Sequence, residues 1–393
     1  MLGSLGPEGQ EFRKIIEGKG RYADKTGYLP RLVREGGGFL LSRPRGFGKS
    51  LLLDALGCLL SGEDALFKGL FVEKELGSLP RMRVIHLRMS EIAADPQGLG
   101  IGLQKSMGAL LGKEGTFASE AYPSGLASET LESLASDSAL KLAILVDDYD
   151  TPISDHFDKP SLRDANARIL SGFYTELTGK IGSLVGLALF AGATRVALPQ
   201  EPLAALRDIS FLGEFGAVCG FLRQEMDLLF SDLYPGVSQR ATQRPSQMPS
   251  QRPNISPKDG SGQGPGDIGA DIMRWYGGYS FDGLHKVANP LSVLSFFKNN
   301  AFQEYFGQTA LLDSLIATII ERGVSLREGF ATDFKKMGAD ELRTADPFDY
   351  VASLYQNGFL TLDTEEAKGD GLWSLKVPNQ EIRNIIEGKT SLR

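Results

Sequence analysis

The feature that most constrains this chain is a glycine-rich loop placed between an apolar run and a helical pattern. Residues 38–41 are apolar, residues 43–50 read RPRGFGKS, and residues 51–56 read LLLDAL. A strand, a glycine loop ending in Lys-Ser and a helix are the arrangement of a phosphate-binding loop. Glycines let backbone N–H groups approach phosphate oxygens, and the helix N-terminus adds partial positive charge. The sequence therefore predicts a nucleotide site at this loop.

The ligands of a bound triphosphate are expected from both the backbone and the side chains of this loop. Lys49 is predicted to reach the β- and γ-phosphates, and the Ser50 hydroxyl to ligate Mg²⁺. The strict motif has glycine where Arg43 stands, and the alternative interpretation is a tight turn before a core helix. The other residues expected to contact the nucleotide are Arg45, Gly46, Phe47, Gly48 and Leu51.

Two adjacent acids follow another apolar run. Residues 142–146 read LAILV and lead into Asp147 and Asp148. We expect Asp147 to orient the metal shell and Asp148 to activate the attacking water. The Asp148 side chain is one methylene shorter than that of Glu, so its carboxylate can lie too far from the attacking water. Slow hydrolysis and a site that binds nucleotide without hydrolysing it therefore both stay open. An acidic turn that caps a core strand is the alternative for the pair.

Polar residues also follow the run at 184–191. Thr194 is predicted to contact the γ-phosphate, and Arg195 to pair with phosphate charge. An ordinary turn at a strand end explains both residues equally well.

The spacing of apolar runs predicts the fold class. Runs at 38–41, 84–87, 142–146 and 184–191 are continuous rather than alternating, as in strands buried on both faces of a parallel sheet. Helical patterns lie between them, the clearest being an apolar stripe from Ile169 to Ile181. We therefore predict an α/β fold: a P-loop NTPase domain over residues 8–234, with a mostly parallel sheet flanked by helices.

The remainder of the chain differs in composition. Residues 235–268 are rich in Pro, Gln, Ser and Gly and mildly basic, so we predict a disordered linker, with weak polyanion binding as the alternative. Residues 269–393 are expected to form a smaller, mainly helical domain, with helices around 290–299 and 309–322. A helix closed by Gly358, followed by a hairpin of residues 359–362 and 372–375, suggests a winged-helix-like element.

Charge and cysteine content exclude several classes of protein. The 393 residues carry a net charge of −7, which argues against nucleic-acid binding over the whole surface. Two cysteines permit no disulfide framework, and three separated histidines do not predict zinc binding. No secretory signal or membrane-spanning run is seen, so we expect an intracellular, cytoplasmic protein that is not secreted.

Taken together, these motifs resemble the AAA-ATPase-like family of P-loop proteins, which often carry a C-terminal PD-(D/E)XK-type nuclease. The resemblance rests on YADKT at 22–26, the loop at 43–50 and DDYDTP at 147–152, with weaker matches such as WYGGY at 275–279, NPLS at 289–292 and PNQE at 378–381. It implies binding of ATP with Mg²⁺ and places Asp24, Lys25 and Thr26 near the nucleotide. The family usually has Glu where Asp148 stands. Its nuclease would begin after residue 379, so we expect no nuclease activity.

Three functional hypotheses follow. The first is an ATPase whose cycle moves the C-terminal region against the P-loop domain. The second is an NTP-gated module that binds a protein or nucleic acid and barely hydrolyses. The third, an inactive remnant of a longer nuclease protein, fits the intact loop least well. Assembly into a homo-oligomer stays open, because P-loop proteins of this kind often take an arginine from a neighbour.

Overall fold

The computed structural model describes residues 11–113, 122–156, 159–235, 267–307, 313, 315–317, 336–343, 349–364 and 372–391. Its first part alternates helices and strands, as the sequence predicts. The elements are α1 (Phe12–Glu17), α2 (Leu29–Glu35), β1 (Gly37–Ser42), α3 (Lys49–Leu60), β2 (Arg83–Arg88), α4 (Met89–Ala93), α5 (Leu99–Leu110), α6 (Leu126–Ser136), β3 (Leu142–Asp147), α7 (Thr151–Ser154), α8 (Pro160–Thr178), β4 (Val185–Gly192) and β5 (Arg207–Asp208).

The strands form one five-stranded parallel sheet in the order β2-β3-β4-β1-β5. The four predicted strands are confirmed to within about one residue at each end, and β5 adds a short edge strand that carries no sequence signal. Because all strands run in one direction, the segments that follow β1, β3 and β4 meet at the same edge of the sheet. Strand β4 lies between β1 and β3, so it separates the glycine loop from the two acids.

Helices cover both faces of the sheet. Strand β3 is buried along its whole length, which accounts for its continuous apolar run. One face packs against α1 and α3, and the other against α5, α6 and α8. In α8 the predicted stripe is confirmed by buried Leu170, Phe173, Tyr174 and Leu177, although the helix ends before Ile181.

A helical C-terminal region follows, as predicted, although its first elements lie within the 8–234 range that the sequence assigns to the P-loop domain. Its elements are β6 (Phe221–Leu222), α9 (Arg223–Phe230), α10 (Ile268–Tyr276), β7 (Val287–Ala288), α11 (Pro290–Asn299), β8 (Met337–Gly338), α12 (Ala339–Leu342), α13 (Tyr350–Gln356), β9 (Thr361–Leu362), β10 (Leu372–Trp373), β11 (Leu375–Lys376) and α14 (Gln380–Ser391). Helices α9, α10 and α11 share a core that includes Phe230, Ile272 and Phe296. We call residues 221–235 and 267–307 the helical module.

Strand pairing near the chain end differs from the predicted hairpin. Helix α13 ends at Gln356, and Gly358 takes a φ of 82°, as expected for a helix closed by glycine. Strand β9 pairs with β11, whereas β10 pairs with β8, about 35 residues earlier in the chain. Within the predicted second strand, therefore, only Leu375 pairs with β9. The winged-helix-like interpretation stays a prediction.

Two predicted segments lie outside the described residues. They are nearly all of the linker at 235–268 and most of the helix at 309–322. Among the residues that are described, no helix is long and apolar enough to cross a membrane.

Candidate functional site

A cavity of about 570 Å³ opens at the carboxyl edge of the sheet, a size typical of small-molecule sites. The glycine loop forms one wall, and the acids after β3 form another. Residues from the N-terminal segment, which we define as residues 11–28, and from the helical module complete the lining. Its lining includes Arg45, Gly46, Phe47, Gly48, Lys49, Ser50, Leu51, Asp147, Asp148, Lys25, Asp54, Arg88, Gly220 and Leu291. The structure thus brings together the loop and the acids that the sequence assigns to one site.

The glycine loop has the backbone that phosphate binding requires. Gly46 and Gly48 have φ angles of 81° and 93°, a left-handed conformation that side-chain-bearing residues rarely adopt. Helix α3 begins at Lys49, directly after Gly48. The first N–H groups of a helix have no acceptor within it, so those of α3 are available to an anion in the cavity.

Lys49 spans the inside of the loop. Its side chain is buried, and Nζ donates to the backbone oxygens of Arg43 at 2.9 Å and Pro44 at 3.2 Å. The ammonium group therefore lies at the cavity wall, held by neutral carbonyl groups.

Ser50 and Asp147 come together across the sheet edge. Burial and the charge of Asp148 raise the pKa of Asp147 to about 6, while a hydrogen bond from the Ser50 side chain and the charge of Lys49 act in the opposite direction. This contact unites the two predicted Mg²⁺ ligands. Among the described residues no cluster of three or more His, Cys, Asp or Glu side chains could hold a metal. Two protein oxygens fit Mg²⁺, which retains waters and takes its other ligands from phosphates.

Asp148 adopts an uncommon backbone conformation beside this pair. Its φ is 52°, in the left-handed region that Asp tolerates better than most residues. Its backbone N–H donates to Asp147 Oδ1 at 3.1 Å, and its half-buried side chain lines the cavity. The turn therefore presents both carboxylates to the same space.

The residues after β4 are arranged differently. Neither Thr194 nor Arg195 is among the described residues that line the cavity. The backbone N–H and the hydroxyl of Thr194 both donate to Asp150 Oδ2 at 2.8 Å. The backbone N–H of Arg195 donates to Gln356 of α13 at 2.9 Å. The hydroxyl of Thr194 therefore already donates to Asp150, and this geometry does not support the predicted γ-phosphate contact.

The segment at 24–26 contributes one residue to the cavity. Lys25 lines it, and its Nζ donates to Glu225 at 2.6 and 2.7 Å and to the Ala217 oxygen at 2.8 Å. Asp24 and Thr26 stabilise the local chain instead. Asp24 accepts from the Thr26 backbone N–H at 2.9 Å and hydroxyl at 2.6 Å, and the other Asp24 oxygen accepts from Phe71 N–H at 2.7 Å.

The outer side of the glycine loop packs against the C-terminal region. The buried Phe47 ring makes edge-to-face contacts with Tyr279 at 4.9 Å and Phe281 at 5.3 Å. The Gly46 oxygen accepts from Leu291 N–H at 3.3 Å, and a Cβ at residue 46 would lie only 2.9 Å from Leu291 Cβ. Gly46 is therefore required for both its φ angle and this close approach.

Arg43 explains why the first glycine of the strict motif is absent here. Its guanidinium is fully buried and donates to the oxygens of Ser42 and Ser210 at 2.8 Å and Phe215 at 3.0 Å. It also lies 4.3 Å from the centre of the Phe281 ring. Burial lowers its pKa. Arg43 thus anchors the start of the loop to surrounding segments.

Sequence reasoning missed several charged residues of the cavity, among them Arg88 and Asp54. Arg88 ends β2 in register with Asp147, and its guanidinium lies 3.0 Å from Asp54 Oδ1. Asp54 is four residues after Ser50 and so shares its face of α3. The position of Arg88 at the carboxyl end of a parallel strand is the signal that could have identified it.

The weaker motifs at 275–279, 289–292 and 378–381 meet in the C-terminal region. The Asn379 side chain donates to the Gly277 oxygen at 2.9 Å, and the Ser292 hydroxyl donates to Glu381 at 2.9 Å. Burial raises the pKa of Glu381 to about 7. Trp275 stacks on Phe302 at 5.4 Å within this region, so its ring has a hydrophobic partner inside the protein.

Comparison with known proteins agrees with the site. Residues 8–200 match the model of a family described as predicted AAA-ATPase. A protein of Azotobacter chroococcum mcd 1, described as an uncharacterized protein in the vnfD 5' region, is 26% identical over 392 residues, which cover 98% of this chain and 69% of that protein. No solved structure matches the chain. The family match includes the glycine loop and the acids after β3, so over residues 8–200 the chain is similar to the AAA-ATPase-like family.

Proposed function

We propose that this protein binds ATP with Mg²⁺ in the cavity beside the glycine loop and hydrolyses it. The observation that carries the proposal is the convergence of Lys49, Ser50 and Asp147 on one cavity of suitable size, although Asp147 lies almost 100 residues beyond the loop. These are the charges and oxygens that a triphosphate and its metal ion require.

Each residue has a distinct part in the proposal. The loop N–H groups and Lys49 hold the polyphosphate, and Lys49 exchanges the oxygens of Arg43 and Pro44 for phosphate oxygens. Ser50 and Asp147 would hold Mg²⁺, which would supply positive charge beside the phosphates. Asp148 orients the attacking water and accepts its proton.

Contacts behind the loop support a mechanical role for the cycle. Phe47 and Gly46 touch the C-terminal region directly, through Tyr279, Phe281 and Leu291. A shift of the loop on nucleotide binding would displace these three residues first. We therefore favour an ATPase that moves the C-terminal region against the sheet.

The test is calorimetric titration with ATP·Mg²⁺ and GTP·Mg²⁺, followed by phosphate-release measurement on the same sample. We expect saturable binding and slow phosphate release, with Lys49→Ala lowering affinity about 100-fold, as loss of a charge-assisted contact to phosphate implies. A Lys49→Ala variant with unchanged turnover would remove the proposal.

A second candidate is an NTP-gated module that binds a protein or nucleic acid and hydrolyses little. It is favoured by Asp148, whose short side chain stands where the family usually has Glu. Tight ATP binding with negligible turnover, restored by Asp148→Glu, would select this candidate. A Glu variant as slow as the wild type would reject side-chain length as the cause.

A further inference from the structure

A buried ion pair between distant segments lies at the cavity wall. Lys25 belongs to the N-terminal segment, and Glu225 lies 200 residues later in the first turn of α9. Their side chains are 10% and 21% exposed, so the pair is largely shielded from water. Of the two, Lys25 lines the cavity. An ion pair in this position links the nucleotide cavity to the helical module.

Glu225 favours the charged form of Lys25. Burial lowers the pKa of Lys25, and the carboxylate of Glu225 opposes this effect. A polyphosphate in the cavity would offer the same ammonium group a stronger anionic partner. The two anions would therefore compete for one cation.

Glu225 also holds the start of α9. Its Oε2 accepts from the Leu222 backbone N–H at 2.7 Å, and α9 packs on α10 through Met226, Phe230 and Ile272. Helix α11 of the same module contacts Gly46 of the glycine loop. The module thus touches the nucleotide site at several places, and Glu225 provides a charged contact among them.

We propose that Lys25 and Glu225 form a nucleotide-responsive link: a bound polyphosphate draws Lys25 away from Glu225 and so loosens α9 from the N-terminal segment. This inference rests on the proposed function. It assigns to Glu225, which faces no phosphate itself, the transmission of site occupancy to the helical module.

A neighbouring ion pair provides a matched control. Arg21 and Asp232 join the same two segments at the other end of α9, at 2.6 and 2.7 Å, but Asp232 is 63% exposed. Solvent screening makes such a pair weak. Arg21 also lines the cavity, so Asp232→Asn and Glu225→Gln each remove the carboxylate partner of a cavity cation. Because solvent already screens Asp232, this variant should leave ATP affinity within about twofold.

The test is a double-mutant cycle read by calorimetric titration with ATP·Mg²⁺ on the full chain. We expect Lys25→Met to weaken binding about tenfold and Glu225→Gln to tighten it about threefold, within the usual range of coupling between linked sites. In the Glu225→Gln variant the amide oxygen can still accept from the Leu222 N–H, so the helix start is preserved. In the Lys25→Met background, Glu225→Gln should no longer tighten binding.

The outcomes separate the two proposals. Wild-type protein that binds no ATP would overturn the proposed function and this link with it. Binding with additive effects of the two substitutions, or weakening by both, would overturn the link alone. Amide hydrogen exchange provides an independent test. ATP·Mg²⁺ should accelerate exchange in α9 of the wild type and leave the exchange rate of α9 in the Lys49→Ala variant unchanged.

Discussion

The ends of β3 and β4 lie side by side at the same sheet edge, yet the polar groups that follow the two strands have different partners. After β3, Asp147 and Asp148 face the cavity, and burial with mutual repulsion raises the pKa of Asp147. After β4, Thr194 and Arg195 donate to Asp150 and Gln356. The carboxylates after β3 repel each other and face the cavity, whereas the polar groups after β4 have hydrogen-bond partners within the protein.

This difference separates a binding surface from a structural contact. Charged groups that the fold leaves incompletely paired reduce stability unless a ligand or metal compensates them. Groups that have found partners inside the protein stabilise it instead. We therefore expect ligand binding at the end of β3 and a structural role for the end of β4.

The largest effect is expected from Asp150→Asn. Asp150 is buried and accepts from the N–H groups of Ala193 and Thr194 and from the Thr194 hydroxyl. An amide has one acceptor oxygen for these three donors, so the free energy of unfolding should fall by about 2–3 kcal/mol. Urea unfolding measures this, and an unchanged midpoint would contradict a structural role for the end of β4.

The same chemical change at Asp147 should have the opposite sign. Its raised pKa means that the folded state binds a proton more tightly than the unfolded state, so its contribution to stability is greatest at low pH and declines as pH rises through about 6. At pH 7.5 Asp147→Asn should therefore raise the free energy of unfolding by about 1–2 kcal/mol. At pH 4 the gain should vanish, and a destabilised variant at pH 7.5 would refute the contrast.

Metal-dependent binding should follow the protonation of Asp147. Only the carboxylate form is a Mg²⁺ ligand, so the affinity for ATP·Mg²⁺ should fall about tenfold between pH 7 and pH 5, because the pKa is about 6. Titrations at several pH values test this, with ATP in EDTA as the control for loss of other contacts. A flat profile would place the metal elsewhere.

The smallest effect is expected from Thr194→Val. Loss of the hydroxyl bond to Asp150 should lower the free energy of unfolding by about 1 kcal/mol and leave ATP turnover unchanged. Lost turnover with unchanged stability would instead give Thr194 the phosphate contact that the sequence suggested.

Local patterns were sufficient to predict which residues meet at the centre of the candidate site. The glycine loop, Lys49 and Ser50 are consecutive, and buried parallel strands bring Asp147 to the same edge, so their meeting follows from the fold class. The four main strands were visible because burial on both faces makes their sequences continuously apolar.

Contacts between distant segments were not predictable in this way. The burial of Arg43 depends on Ser210, Phe215 and Phe281, and the partner of Lys25 is 200 residues away. The partner of Thr194 was not predictable either, because its position at a strand end is the same whether or not its hydroxyl has an internal partner. Such pairings are set by tertiary packing and leave no periodic signal along the chain.

The most direct test of the account compares magnesium dependence in two proteins. ATP affinity of the wild type and of Asp147→Asn is measured by calorimetry in Mg²⁺ and in EDTA. We expect Mg²⁺ to strengthen binding at least about tenfold in the wild type and to have little effect in the variant, because the variant lacks the carboxylate that holds the ion. Equal dependence on Mg²⁺ in both proteins, or no ATP binding by the wild type, would contradict the site described here.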